Sequence, residues 1–256
     1  MPEWVLSLAA IPRDSVYCIG VPVVADRALL EACRHLVAPE EMSQACRYAR
    51  LGDAVSHLMG RVLVRQVLRA TFGLEVTEPF HVSPYGKPYC PQCAAFFSIS
   101  HCHDMVWVAL CREAAVGIDV ENVSALSEFS EIVAHLHPSE RAYLLDLDEG
   151  DRPGAYCRCW TRKESVLKAV GRGLSLPLDV FAVDVGPVKE NWIVSLPVPL
   201  LPDEKGAGFL SALTGQWTSA QVKTGENHCC SVAVAAPHRK LRVLSLMETV
   251  WDHARA

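Results

Sequence analysis

The sequence has no surplus of positive charge and no long apolar run. Its 256 residues include 24 Lys and Arg against 29 Asp and Glu, a formal net charge of -5, so the chain is not expected to hold nucleic acid non-specifically. No stretch reaches the roughly 18–20 apolar residues of a membrane-spanning helix. Residues 1–10 lack the basic segment that opens a secretory leader. We therefore expect neither nucleic acid nor a membrane as a partner.

The sequence also lacks a regular cysteine framework. Its 11 cysteines are an odd number, and a chain of this length can bury a core without disulfides. We therefore expect reduced thiols and a cytoplasmic protein. Cys90-Pro91-Gln92-Cys93 has the spacing of half a zinc site, with His101 and His103 nearby. One such pair without a second is a weak signal, so structural zinc is not expected.

Helix-like and strand-like segments alternate along the chain. Two helix-like segments end in glycine, Val55–Gly73 and Cys157–Gly171, and strand-like segments follow each. This repetition permits two similar halves. Further helices are predicted at 26–37, from 39 onwards, at 129–136 and at 139–145, and a loop at 150–154. Strands are predicted at 16–24, 96–100, 105–111, 115–121, 181–185, 192–196, 215–222 and 230–235, with a proline-rich loop at 197–202.

Two carboxylates share one face of the predicted strand Gly117–Glu121. Side chains alternate along a strand, so Asp119 and Glu121 lie on the same side, with Gly117 beside them. At about 4 Å and an effective dielectric near 20, two such charges repel by about 4 kcal/mol. Mg²⁺ prefers carboxylate oxygens and reverses the sign of this interaction. Taken alone, the pair is more simply explained as the solvated face of an edge strand.

A second group of polar residues follows helical spacing. Trp160, Glu164 and Lys168 recur every four residues and so lie on one side of a helix. Taken alone, Glu164 and Lys168 are more simply explained as a surface ion pair. The sequence contains no Ser-His-Asp or Cys-His arrangement that indicates a nucleophile of its own.

Together these segments resemble the Sfp-type 4′-phosphopantetheinyl transferases. The pattern is Gly-Ile-Asp-x-Glu, about 40 residues, and then Trp-x-x-Lys-Glu-Ser-x-x-Lys. The resemblance extends over most of the chain and is dense from Gly86 to Asp179. Three more segments match in order: Tyr85-Gly86-Lys87-Pro88, Ser98-Ile99-Ser100-His101 and Gly173-Leu174-Ser175-Leu176-Pro177-Leu178.

The resemblance implies an activity. Members of this family transfer the 4′-phosphopantetheine arm of coenzyme A to a serine of an apo acyl or peptidyl carrier protein and release 3′,5′-ADP. By matching position, Asp119, Glu121 and Glu164 would hold Mg²⁺ on the pyrophosphate. Glu164 would also be the base, directly or through a water, and Lys168 would contact the pyrophosphate and the departing ADP.

The resemblance also implies residues that bind coenzyme A. Ser100 and His101 would bind phosphate, Lys163 would make a further phosphate contact, and the turn Gly86-Lys87-Pro88 would line the adenosine end. The family often carries basic residues just after a Pro-Glu pair, which Pro39-Glu40 matches here, and another basic residue at the start of the long helix. This sequence lacks basic residues at both positions. Candidates for the 3′-phosphate are therefore Arg47, Arg50, His57 and Arg61, of which Arg47 and Arg61 are preferred.

The fold implied by the resemblance is α+β. It is a pseudo-two-fold duplication of two similar helix-plus-antiparallel-sheet halves, at 1–112 and 113–240, followed by a tail at 241–256. A monomer is expected, with coenzyme A between the halves. Two other functions remain open: a non-catalytic coenzyme A or carrier-protein binding module of the same fold, and a metal-dependent phosphohydrolase.

Overall fold

The computed structural model describes residues 12–93, 95–125, 130–196, 217–225 and 227–245. Its α-helices are α1 Arg27–Cys33, α2 Pro39–Ala45, α3 Leu51–Phe72, α4 Ser130–Val133, α5 Pro138–Asp146 and α6 Arg152–Val170. Its strands are β1 Ser15–Pro22, β2 His81–Val82, β3 Pro88–Tyr89, β4 Phe96–His101, β5 Met105–Cys111, β6 Val116–Asn122, β7 Ala182–Val183, β8 Ile193–Ser195, β9 Thr218–Gln221, β10 His228–Val234 and β11 Lys240–Ser245. Single 3₁₀ turns lie at Val123–Ala125, Gly173–Ser175 and Leu178–Val180.

Two sheets form the centre of the molecule. Four strands lie in the order β11-β1-β5-β4, and three lie in the order β6-β10-β9. Every pairing among these strands is antiparallel except that of β1 with β11, which is parallel. Helices and mainly antiparallel sheets confirm the α+β prediction. No helix within the described ranges is both long and apolar enough to cross a membrane.

A long helix packs on each sheet. Helix α3 packs against β4 and β5, and α6 packs against β6 and β10. Both helices end at a glycine with left-handed backbone, Gly73 at φ 62° and Gly171 at φ 79°, which confirms both predicted stops. Both begin before the predicted residue. Pro153 fits the first turn of α6, so the helix takes in part of the loop predicted at 150–154.

Two other predicted segments differ from the structure. Of the helix predicted at 129–136, only Ser130–Val133 is helical among the described residues. Residues 240–245, most of which were expected in a tail, form β11 and pair with β1. The register could not be anticipated because the partner strand lies more than 200 residues earlier in the chain. The proline-rich loop predicted at 197–202 lies outside the described residues.

The two sheets meet along β4 and β6, where serine side chains take the place of a backbone ladder. Ser98 Oγ accepts a hydrogen bond from the Ile118 amide at 3.2 Å, and Ser100 Oγ accepts one from the Val120 amide at 3.2 Å. These contacts satisfy backbone groups of β6 that would otherwise lack a partner. They also place the end of β6 beside the end of β4.

Close packing of β6 on α6 depends on Gly117. A Cβ atom there would lie 1.9 Å from the carbonyl oxygen of Ser165 and 2.4 Å from the amide nitrogen of Ala169. Since these atoms belong to the helix backbone, Gly117→Ala should lower the free energy of unfolding by about 1–3 kcal/mol or more. Urea denaturation would measure this. Gly150→Ala is the control, because its Cβ would meet nothing within 4 Å; equal losses in both variants would contradict the prediction.

Candidate active site

A cavity of about 360 Å³ opens where β4, β6 and α6 meet. Its position follows from the side-chain alternation of β6. Gly117, on the same face as Asp119 and Glu121, lets α6 come close, while the opposite face packs into the core. The cavity is lined by Ile99, Ser100, His101, Asp119, Glu121, Trp160, Glu164 and Lys168.

Asp119 is the most buried carboxylate of the cavity, at 3% exposed. Its Oδ1 accepts hydrogen bonds from Lys168 Nζ at 2.6 Å and from Ser100 Oγ at 2.8 Å. Lys168 Nζ also lies 2.8 Å from Ser100 Oγ, so the three side chains form a closed triangle. The other oxygen, Oδ2, is buried and has no hydrogen-bonding partner among the described residues.

The two glutamates of the cavity are partly buried and close to Asp119. Burial and the negative charge of Asp119 raise the pKa of Glu121 to about 7, although Lys168 and the side chain of Trp160 oppose the shift. The same causes raise the pKa of Glu164 to about 7, again opposed by Lys168. If all three acidic groups were ionised, one cation among them would leave an excess of negative charge in the cavity, and the raised pKa values reflect this repulsion.

The donor chemistry of these residues suits a hard divalent cation, and their ligand atoms, which do not all lie within 4.8 Å of one another, would have to close around it. Carboxylate oxygens are the ligands that Mg²⁺ prefers, and it usually keeps several waters, for which the cavity has room. The unpartnered Oδ2 of Asp119 is a buried acceptor of the kind that calls for a cation or a donor. Asp119, Glu121 and Glu164 would hold the ion.

The raised pKa values predict how stability depends on pH. Glu121 and Glu164 have an ordinary pKa of 4.5 and a folded pKa of about 7, so the folded protein binds more protons between these values. Its free energy of unfolding should therefore fall as the pH rises from about 4.5 to about 7. Denaturant unfolding at several pH values with a chelator present would measure this. The double variant Glu121→Gln/Glu164→Gln should show a flatter profile; an unchanged profile would contradict the assignment.

His101 lines the cavity and is close enough to both the acidic cluster and α3 for their charges to act on it. Partial burial lowers its pKa, and the charges of Lys168 and Arg61 add to this while Asp53 and Asp119 oppose it. Arg61 is the one preferred N-terminal candidate that the structure brings near His101. Its guanidinium lies 3.3 Å from His57 Nδ1 and 3.6 Å from Glu41.

Arg47, the other preferred N-terminal candidate, is exposed and does not line the cavity. His57 is 5% exposed, and its Nε2 is buried without a partner among the described residues. Burial and the charge of Arg61 lower the pKa of His57 to about 4, so this ring is neutral at physiological pH.

The Gly86-Lys87-Pro88 turn lies beside the acidic cavity and does not line it. Gly86 has φ 86°, which explains the glycine. Lys87 Nζ donates to the carbonyl oxygens of Lys168 at 2.6 Å and Val116 at 3.1 Å. Burial lowers the pKa of Lys87 to about 8. Lys87 thus ties the end of α6 to β6, and with Pro88 it lines a neighbouring cavity of about 520 Å³.

Lys163 does not reach the cavity, and its predicted phosphate contact is wrong. The side chain is fully buried, and Nζ lies 2.8 Å from Glu140 on α5. Nζ also donates to the carbonyl oxygens of Leu178 and Phe181. Glu164 and Lys168 face β6, whereas Lys163 points from the same helix into the contact with α5.

Sequence reasoning missed the roles of two residues. Trp160 lines the cavity, and its side chain opposes the rise in the pKa of Glu121. The signal was its helical spacing with Glu164 and Lys168. Ser98 binds the backbone of β6, and no sequence pattern indicates a hydroxyl that replaces a ladder hydrogen bond.

Comparisons with known proteins agree with this geometry. Residues 115–233 match the 4′-phosphopantetheinyl transferase superfamily, and residues 25–113 match a family described as 4′-phosphopantetheinyl transferase, N-terminal. The 4′-phosphopantetheinyl transferase Sfp of Bacillus subtilis is 35% identical over 166 residues, 64% of this chain and 71% of that protein. The 4′-phosphopantetheinyl transferase gsp of Aneurinibacillus migulanus is 28% identical over 167 residues, which are 65% of this chain and 69% of that protein. The L-aminoadipate-semialdehyde dehydrogenase-phosphopantetheinyl transferase of Mus musculus is 24% identical over 78% of this chain and 68% of its own.

Proposed function

This chain belongs to the 4′-phosphopantetheinyl transferase superfamily, and we propose that it uses the acidic cavity, with Mg²⁺, to transfer phosphopantetheine from coenzyme A to carrier-protein serine. The chain is a transferase of this class, and carrier proteins are its acceptors. The observation that carries the proposal is one cavity containing Asp119, Glu121, Glu164 and Lys168, with Asp119 Oδ2 unpartnered among the described residues.

The reaction needs positioning, charge neutralisation and proton transfer, because the nucleophile belongs to the carrier protein. The serine oxygen attacks the β-phosphorus, the bond from that phosphorus to the bridging oxygen breaks, and 3′,5′-ADP leaves with that oxygen. When bound, Mg²⁺ would neutralise charge on the pyrophosphate. Asp119, Glu121 and Glu164 are its proposed ligands.

Glu164 is the proposed base for the serine proton. Asp119 Oδ1 is already engaged by Lys168 and Ser100, and the side chain of Trp160 favours the charged form of Glu121. Glu164 lines the cavity, and its carboxylate makes no hydrogen bond to the residues that the structure describes. It is therefore the carboxylate best able to accept a proton.

Lys168 and the neighbouring polar residues are proposed to bind the phosphates. Lys168 Nζ is held by Asp119 and Ser100 at the cavity wall, so its charge is fixed where a pyrophosphate would lie. His101, with Arg61 near it, is the proposed contact for the 3′-phosphate. The Gly86-Lys87-Pro88 turn is proposed to line the adenosine end.

The proposal includes the location of the protein, its oligomeric state and its partners. The protein acts as a cytoplasmic monomer, with neither nucleic acid nor a membrane as a partner. Its two halves, near 1–112 and 113–240, are related by a pseudo-two-fold duplication. The packing of α3 on β4 and β5, and of α6 on β6 and β10, supports this relation.

A transfer assay tests the proposal. Coenzyme A labelled in the pantetheine arm is incubated with the protein, Mg²⁺ and a panel of apo acyl and peptidyl carrier proteins. We expect label on the carrier serine and one equivalent of 3′,5′-ADP, and no transfer when a chelator replaces Mg²⁺. Failure across the whole panel would overturn the proposal in favour of a non-catalytic module. Phosphate release from small substrates without a carrier would favour a hydrolase.

A further inference from the structure

Three potential metal ligands meet outside the acidic cavity, at the corner between β4 and β5. Cys102 and Asp104 belong to the corner, and His228 is the first residue of β10. His228 Nε2 lies 2.8 Å from Asp104 Oδ1, and Cys102 Sγ lies 3.5 Å from the same oxygen. Their ligand atoms all lie within 4.8 Å of one another, and all three residues are partly buried. Among the residues that the structure describes, this is the one such group of three.

The donor set differs chemically from that of the acidic cavity. A thiolate, an imidazole and a carboxylate together suit Zn²⁺, whereas Mg²⁺ takes oxygen ligands. At Zn²⁺ bond lengths of about 2.0–2.3 Å, tetrahedral donors lie about 3.3–3.6 Å apart. The sulfur-to-oxygen distance of 3.5 Å fits this range. The contact of 2.8 Å between His228 and Asp104 would have to open by about half an ångström.

We infer that Cys102, Asp104 and His228 form a Zn²⁺ site whose fourth position is open to water. The thiol proton, which is directed at Asp104, leaves to solvent when the sulfur coordinates the ion. The proton that His228 Nε2 shares with Asp104 moves to Nδ1 or to solvent, so that Nε2 can coordinate. Three protein ligands with one open position are a known arrangement for this metal. Cys90 and Cys93, which have zinc-like spacing in the sequence, are not part of the group.

Such a site would join the two sheets. Cys102 and Asp104 precede β5 of the first sheet, and His228 pairs with Asn122 of β6 in the second. The next pair along the same strands is Cys229 with Glu121. Zn²⁺ would therefore hold the corner against β10. Its ligand His228 pairs with Asn122, the residue that follows Glu121 of the acidic cavity. This role goes beyond the transfer reaction.

Cobalt substitution tests the site without measuring activity. Co²⁺ is added to the protein with Mg²⁺ in excess, and the thiolate-to-cobalt charge-transfer absorption is recorded. We expect one equivalent of Co²⁺ to give this absorption in the wild-type protein and Cys102→Ser to abolish it. Asp104→Asn and His228→Gln should each weaken Co²⁺ binding at least about tenfold. Cys93→Ser and His103→Ala, a partly buried cysteine and a histidine of the same corner, are the matched controls and should behave as wild type.

Thermal unfolding gives a second measurement. Zn²⁺ should raise the Tm of the wild-type protein and leave that of Cys102→Ser unchanged, because only a folded site binds the ion. Charge-transfer absorption that survives in Cys102→Ser, or is missing in the wild-type protein, would overturn the inference. Glu164→Gln should keep the absorption, because Glu164 is not part of the group of three. The zinc inference can therefore hold even if the transferase proposal fails. Loss of the absorption in Glu164→Gln would overturn the inference, because it would show that the bound Co²⁺ depends on the acidic cavity.

Discussion

Replacing Glu164 with glutamine is expected to reduce phosphopantetheine transfer by about 100- to 10,000-fold. Glutamine keeps the size of the side chain but cannot accept the serine proton, and it removes one of three proposed carboxylate ligands. The fold should persist, because the carboxylate of Glu164 makes no hydrogen bond to the described residues and the residue is only partly buried. Single-turnover transfer to an apo carrier protein, followed by mass spectrometry of the carrier, would measure the loss.

The control for this prediction is Glu149→Gln, which removes an exposed carboxylate from the turn before α6. It should transfer at the wild-type rate. Coenzyme A binding by both variants should be followed by calorimetry, since a loss of binding alone would not account for a loss of rate at saturation. Wild-type turnover in Glu164→Gln would rule out its proposed role as base and ligand.

Replacing Lys163 with methionine is expected to lower the free energy of unfolding by about 3–5 kcal/mol. The replacement leaves Glu140 as an uncompensated buried charge, since both side chains are fully buried and lie 2.8 Å apart. Glu140 would still accept hydrogen bonds from the amides of Val183 and His137, but it would lose its counter-ion. Equilibrium urea denaturation at pH 7 would measure the loss.

Two further variants identify the cause of this loss. Lys189→Met removes an exposed lysine and should change stability by less than about 0.5 kcal/mol. The double variant Lys163→Met/Glu140→Leu should recover much of the loss, because replacing both partners leaves no buried charge. If Lys163→Met instead weakened coenzyme A binding and left stability unchanged, the phosphate contact predicted from the sequence would be reinstated.

Much of the site could be predicted from the sequence because its parts are periodic. Asp119 and Glu121 share a strand face, and Glu164 and Lys168 share a helix face; both relations depend only on local geometry. Gly73 and Gly171 ended their helices as predicted, since a left-handed residue is needed there. Order and spacing of the motifs then indicated the family that the comparisons confirm.

Relations between distant segments required the tertiary structure. Lys163 and Lys168 lie on one helix and carry the same charge, yet one is buried against Glu140 and the other faces Asp119. Which neighbour each side of α6 meets depends on packing, which local periodicity does not contain. The same holds for β11 beside β1, and for His228 beside Cys102 and Asp104.

The sequence by itself therefore determined that two carboxylates share a strand face and that Glu164 and Lys168 share a helix face, and its resemblance to a family indicated the reaction class. The tertiary structure alone decided that Asp119 has one oxygen engaged and one unpartnered among the described residues. The physical reason is that hydrogen-bond satisfaction in a buried site depends on groups from β4, β6 and α6 together. Local geometry orients a side chain, and only packing decides what that side chain meets.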